Sequence, residues 1–182
     1  MEENKGKNSV LIFGTGHEYQ RHQDKVEASK EARTKFEQRI REIVSERKIE
    51  LIAEEAGDDK SVWAALKERQ KRDFEMLGPL IEGTEIVDQP VQTIAKTVAD
   101  ESRLPHVDIR PPRANEMKIS ERDAAMCEKI LESFGSASRV LAIVGGDHQK
   151  GIAKLLSEAG FNVAVESFPE SSKHDEVEAV VS

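Results

Sequence analysis

Three short apolar segments of the chain each end in residues that could do acid–base or metal chemistry. The first runs into Gly14–His17, the second into Glu54 and Glu55, and the third into Gly145–His148. In each Gly-x-x-His segment the glycine frees the backbone to turn sharply before an imidazole. If the three segments lie side by side, both histidines and a glutamate meet at one edge of the fold.

Two chemistries suit this set of residues. Two neutral imidazoles, His17 and His148, and a carboxylate can bind a divalent metal ion such as Mn²⁺, Co²⁺ or Zn²⁺ and leave positions open for water. The ion would lower the pKa of its bound water toward about 7 and polarise a carbonyl group. The same residues could instead work without metal, with one histidine as the general base and the carboxylate orienting it.

The pattern of apolar residues predicts the elements that would position this chemistry. Apolar runs predict strands at Ser9–Phe13, Lys48–Ala53, His106–Ile109, Arg139–Val144 and Phe161–Val165. Three- and four-residue spacing predicts helices at Ala28–Arg47, Val91–Ser102, Ser120–Phe134 and Gln149–Ala159, with Ser120 as the N-cap of its helix. The alternation predicts an α/β fold with a mostly parallel central sheet and helices on both faces. Such sheets bind ligands beyond the carboxyl ends of their strands, which is where the candidate residues lie.

Length and composition restrict the class of protein. The 182 residues suit a single α/β domain, placed at 9–168 between a disordered lead-in at 1–8 and a polar, acidic tail at 169–182. A net charge of −8 and an aromatic content of 4% do not suit binding to nucleic acid or to anionic lipid. The apolar runs are far shorter than the ~20 residues of a membrane helix. We therefore expect neither a nucleic-acid partner nor a membrane.

Cysteine and histidine usage narrows the kinds of site further. The single cysteine, Cys127, excludes an internal disulfide and a cysteine-rich zinc site, so a metal site must use histidine and carboxylate. Its place in a predicted helix favours a buried side chain over a nucleophile. The charged start, Met1–Lys7, lacks the apolar core of a secretory signal, so the expected location is cytoplasmic. The remaining histidines are interpreted as solvated or structural: His22, His106 and His174.

The ordered set of motifs resembles the TraB/Tiki-type proteins, whose superfamily also contains erythromycin esterases and ChaN-like haem-binding proteins. The resemblance is carried by two Gly-x-x-His motifs, a glutamate after an early strand and an arginine on the helix before the second motif. The matching residues are Gly14 and His17, Glu54 or Glu55, Arg122, and Gly145 and His148. The likeness extends over most of the chain, from Val10 to Val165.

The resemblance implies an erythromycin-esterase/ChaN-like (TraB/Tiki) fold and a site made by His17, His148 and a glutamate. By position in the pattern it favours Glu54 over Glu55. Adjacent strand residues face opposite ways, so only one of the two can point into the site. Arg122 would stabilise an anion or oxyanion, or else pair with the glutamate. Activity varies within the group, which includes metal-dependent proteases, lactone hydrolases and proteins that bind haem or iron.

The leading functional hypothesis is a metal-dependent hydrolase that cleaves an amide or ester bond in a small molecule or peptide. In it, His17, Glu54 and His148 hold the metal or activate water, and Arg122 supports the developing negative charge. The alternative is a protein that binds haem, iron or another small ligand without turnover, with the same histidines as ligands. The sequence leaves open whether the chain forms a homo-oligomer.

Overall fold

The computed structural model describes residues 8–16, 27–55 and 93–168 of the chain. The strands are β1 (Ser9–Thr15), β2 (Leu51–Glu54), β3 (His106–Asp108), β4 (Arg139–Gly145) and β5 (Asn162–Phe168). The helices are α1 (Glu27–Glu46), α2 (Ile94–Ser102), α3 (Ile119–Ser133) and α4 (Gln149–Glu158). Short 3₁₀ turns at Ala114–Glu116 and Gly146–His148 precede α3 and α4.

The five strands form one parallel sheet in the order β3-β2-β4-β1-β5. The predicted α/β class and parallel central sheet are therefore confirmed. The strands that precede the candidate residues, β2, β4 and β1, are direct neighbours. In their registers Glu54 lies opposite Ile143, and Thr15 lies opposite Gly145. Because all strands run the same way, their carboxyl ends meet at one edge of the sheet.

Helices cover both faces of the sheet. Against one face α3 and α4 bury Met126, Ile130, Ile152 and Leu156. Against the other face α1 and α2 bury Phe36, Ile40, Ile94 and Val98. A central strand of a sheet covered on both sides needs apolar residues at every position, which is why the inner strands show apolar runs rather than alternation. Removing this apolar surface from water, at about 25 cal/mol per Å², is the main source of stability.

The start of α3 differs from the prediction. Ser120 was the expected N-cap, but the helix begins at Ile119 and Lys118 occupies the cap position. The carboxylate of Glu121 accepts a hydrogen bond from the backbone N–H of Lys118 at 2.9 Å. The helix end is thus satisfied by an acidic residue within its first turn, as in one half of a capping box, and not by a serine hydroxyl.

Some predicted features lie outside the described residues. They include His17 of the first Gly-x-x-His segment, residues 1–7 of the lead-in, the tail at 169–182, and His22 and His174. None of the helices within the described ranges is both long enough and apolar enough to cross a membrane.

Candidate active site at the carboxyl edge of the sheet

Glu54 and Glu55, at the end of β2, point into different layers of the fold. Ile52 belongs to the core on the α1 and α2 side, whereas Leu51 and Ala53 belong to the core on the α3 and α4 side. Strand side chains alternate, so Glu54 follows Ile52 and Glu55 follows Ala53. Glu54 is fully buried and Glu55 is 4% exposed. The two carboxylates are therefore consecutive in the sequence and both buried, but they lie on opposite faces of the sheet.

On the α3 and α4 side, Glu55, Asp123 and His148 form what we call the Glu55 cluster. Nδ1 of His148 lies 2.5 Å from Oδ1 of Asp123, and Nε2 lies 3.5 Å from Oε1 of Glu55. The other oxygen of Glu55, Oε2, accepts a hydrogen bond from the backbone N–H of Gly145 at 2.6 Å. All three side chains are buried. The imidazole is held between two carboxylates, tightly at one ring nitrogen and loosely at the other.

The close approach of α4 to α3 depends on Gly151. A Cβ atom at this position would lie 1.9 Å from Oδ2 of Asp123 and 2.7 Å from its Cγ. Asp123 is buried and already bound to His148, so its carboxylate has little freedom to move aside. Glycine at position 151 thus allows Asp123, from α3, to reach the imidazole at the start of α4.

Gln149 anchors the start of α4 to the edge strand β5. Its Nε2 donates to the backbone oxygen of Glu166 at 2.7 Å, and its Oε1 accepts from Oγ of Ser167 at 3.1 Å. The amide passes directly over Gly14, where a Cβ would lie 1.9 Å from Cδ of Gln149. Packing against Gln149 therefore requires glycine at position 14, in addition to the expected turn. The same contact holds Gln149, the residue next to His148, in place.

On the α1 and α2 side, Glu54, Thr93 and His106 form what we call the Glu54 cluster. Oε2 of Glu54 accepts a hydrogen bond from Oγ1 of Thr93 at 2.6 Å and lies 2.9 Å from Nε2 of His106. Thr93 is the N-cap of α2, where its Oγ1 accepts from the backbone N–H of Lys96 at 3.1 Å. The second oxygen, Oε1 of Glu54, is buried and has no hydrogen-bond partner among the described residues.

The predicted site residues are divided between these two clusters. His148 contacts Glu55, whereas Glu54 contacts His106. The adjacent glutamates face opposite layers, as expected of neighbours on a strand, and the one beside His148 is Glu55 rather than the favoured Glu54. Within the described residues no group of three His, Cys, Asp or Glu side chains, the Glu55 cluster included, is arranged so that it could hold a metal ion. The described donors therefore do not by themselves fit a metal, and His17, the third predicted ligand, lies outside these ranges.

Arg122, which the resemblance assigns to the site, lies on α3 beside Asp123. Its side chain is half-buried, and its Nε is buried without a hydrogen-bond partner in the described part of the chain. Glu54 and Glu55 take their contacts from His106 and His148 there, and neither is paired with Arg122. The expected pairing of arginine with glutamate is thus not among the contacts of the described residues, which leaves the anion-stabilising role as the proposal for Arg122.

Sequence reasoning gave no role at the site to three residues: Asp123, which was expected only as an acidic capping partner of Ser120; Thr93; and His106, which was interpreted as structural. For Asp123 a signal was present: it shares the buried face of α3 with Met126 and Ile130, and a charged residue in such a stripe needs a partner. No comparable pattern marked Thr93 or His106, because their partner Glu54 is distant in sequence. Cys127, by contrast, is buried as predicted, and burial raises the pKa of its thiol.

A shallow cavity of about 150 Å³ lies at the opposite, amino edge of the sheet, beside the starts of β1, β4 and β5. Its lining includes Arg47 and Arg139. The guanidinium of Arg139 is already engaged by Glu50 and by the backbone oxygen of Lys48. Among the described residues, no histidine or carboxylate lines this cavity.

Comparisons with models of protein families, with curated proteins and with solved structures found no match to this chain.

Proposed function

We propose that the protein is a hydrolase that cleaves an amide or ester bond at the carboxyl edge of the sheet. The observation that carries the proposal is the buried Glu55 cluster, in which Asp123 lies 2.5 Å from Nδ1 of His148. A carboxylate in this position fixes the ring and its tautomer, so that the other ring nitrogen can act as a base. The order of motifs, which resembles TraB/Tiki-type proteins and their fold, supports the same activity.

In the proposed reaction, Nδ1–H of His148 donates to Asp123 and Nε2 takes a proton from water. The water oxygen attacks the carbonyl carbon, and the imidazolium then returns the proton to the leaving group as the bond to it breaks. Asp123 and Glu55 stabilise the positive charge on the ring while the proton is held there. The separation of 3.5 Å between Nε2 and Glu55 is longer than a good hydrogen bond, so Nε2 is not tied to that carboxylate.

The metal-dependent form of the proposal needs a ligand from outside the described residues, because the described donors are split between two clusters. His17 is the predicted source; of the other two predicted ligands, Glu54 lies in the Glu54 cluster and His148 in the Glu55 cluster. The proton transfer above uses Asp123, His148 and Glu55 and does not depend on an ion. A chelator followed by added Mn²⁺, Co²⁺ or Zn²⁺ distinguishes the metal-dependent form from the metal-independent one. If the reaction needs the ion, hydrolysis is lost with the chelator and recovered with the added metal.

The main experiment compares the wild type with His148→Asn and Asp123→Asn, using 4-nitrophenyl acetate and a mixture of fluorogenic peptides. The asparagine at position 148 can still donate to Asp123, which protects the fold. We expect kcat/KM to fall by roughly 10²-fold or more in both variants, the size typical of losing a general base or its orientation.

Lys150→Ala is the matched control, because Lys150 is exposed and lies two residues from His148. It should keep wild-type activity. Undiminished hydrolysis by His148→Asn would contradict the proposal. A Soret band on addition of haem, without hydrolysis of any substrate, would favour the alternative of a haem-binding protein.

A further inference from the structure

The carboxyl edge of the sheet holds a second buried imidazole, His106, which the proposed reaction does not use. His106 begins β3 and lies opposite Ile52 of β2, so its side chain is on the same face as Glu54. Its Nε2 is 2.9 Å from Oε2 of Glu54, and its side chain is only 10% exposed. Neither the spacing of the motifs nor the family resemblance pointed to this residue.

The oxygen that His106 contacts is held from two sides. The hydroxyl of Thr93 accepts from the backbone N–H of Lys96, so its single hydrogen is available for Oε2 of Glu54. His106 approaches the same oxygen from β3. Two polar groups from separate elements, the hydroxyl at the N-cap of α2 and an imidazole on a neighbouring strand, therefore fix the rotation of the Glu54 carboxylate.

The other oxygen of Glu54 has no such partner. Oε1 is buried, and no described residue donates a hydrogen bond to it. Leaving a buried acceptor unpaired is unfavourable, and native proteins rarely do so without a functional reason. In the Glu54 cluster, Oε2 is thus contacted by two groups, Thr93 and His106, whereas Oε1 is left for a group that donates a hydrogen bond.

We propose that His106 is a positioning residue for Glu54: its Nε2–H donates to Oε2 and, with Thr93, directs Oε1 as the acceptor for a hydrogen-bond donor bound at the site. The inference rests on the proposed function: the donor is an N–H or O–H group of the substrate, since the attacking water of the reaction above lies at Nε2 of His148. Glu54 is then the group that contacts the donor, and His106 acts through it.

The first test does not depend on activity. Nitrogen-15 NMR of the histidine side chains, with His106 assigned from His106→Gln, should show a ring protonated at Nε2. Its Nε2 signal should shift in Glu54→Gln. A neutral ring that carries its proton on Nδ1 would overturn the proposal, because Nε2 could then not donate a hydrogen bond to Oε2 of Glu54.

The second test measures kcat and KM for His106→Leu and His106→Gln on 4-nitrophenyl acetate. Misplacing a reacting group by about 1 Å can cost up to about 10²-fold, so we expect kcat of His106→Leu to fall at least about tenfold with little change in KM. Glutamine can donate from its amide in place of Nε2, and it should restore kcat to within about threefold of wild type.

A melting temperature for each variant separates positioning from folding. Equal stability of the two variants with unequal kcat supports positioning, whereas reduced stability with wild-type kcat in His106→Leu overturns it. If the wild type hydrolyses no substrate, the proposed function fails. The NMR result alone then decides whether His106 holds Glu54.

Discussion

The two buried glutamates at the end of β2 differ in how completely their oxygens are satisfied. In the Glu55 cluster one oxygen of Glu55 accepts from the backbone of Gly145 and the other faces His148, whose second nitrogen is bound to Asp123. In the Glu54 cluster one oxygen is contacted by both Thr93 and His106, and the other has no hydrogen-bond partner among the described residues. Glu54 and Glu55, although consecutive, therefore differ in the contacts that their carboxylate oxygens make.

The difference shows how two consecutive residues, Glu54 and Glu55, can have different roles, one in stability and one in contacting a ligand. A fully contacted polar cluster in a low-dielectric interior is rigid, and it stabilises the fold while orienting the imidazole. A cluster that leaves a buried oxygen without a hydrogen bond lowers stability unless a bound group donates to that oxygen. We therefore expect changes in the Glu55 cluster to affect stability most, and changes in the Glu54 cluster to affect ligand contacts more than folding.

The largest effect should come from separating Asp123 and His148. In a double-mutant cycle of Asp123→Ala and His148→Ala, measured by urea unfolding, we expect a coupling free energy of about 2 to 3 kcal/mol, because the contact is short and buried. The matching cycle of Glu54→Ala and His106→Ala should give about 1 kcal/mol, since Thr93 still holds Glu54. Equal couplings would contradict the proposed difference between the clusters.

A somewhat smaller loss is expected for Gly151→Ala. The new methyl group would collide with the Asp123 carboxylate and push it away from His148, so the free energy of unfolding should fall by about 2 kcal/mol. Gly146→Ala is the control, because a Cβ there meets no atom within 4 Å. It should change stability by less than about 0.5 kcal/mol. Similar losses in both variants would show that the backbone, rather than Asp123, is sensitive.

The smallest of these effects is expected for Thr93→Val. The change removes the N-cap of α2 and one donor to Glu54 but leaves His106 in place, so thermal unfolding should show a loss of about 1 kcal/mol. Thr93→Ser keeps the hydroxyl and should remain close to wild type. A valine variant that matches wild type would mean that the hydroxyl contributes nothing to either contact.

Much of the fold was predictable because the inner strands lie in a sheet covered on both faces. Burial on two sides demands uninterrupted apolar runs, and these mark β1 and β4 in the sequence. The cap of α3 was mispredicted because Ser120 and Glu121 are both plausible capping residues, and local sequence does not decide which of them bonds the helix end. The site was predictable to the extent that its residues follow strands, as Glu54, Glu55 and His148 do.

The partners of those residues were not predictable, because they come from other elements. Asp123 reaches His148 across the packing of α3 on α4, and His106 reaches Glu54 across two paired strands. Such contacts join residues 25 and 52 positions apart in the chain. No spacing rule for a single helix or strand extends over such distances.

The sequence by itself determined that this is an α/β chain whose strands end in glycine, glutamate and histidine, because hydrophobic periodicity and strand ends are local properties. Only the tertiary structure decided that Glu54 and Glu55 belong to different clusters and which imidazole each one meets. The physical reason is that side chains alternate across a strand, so adjacent residues point into separate helical layers. What fills each layer depends on how distant parts of the chain pack together.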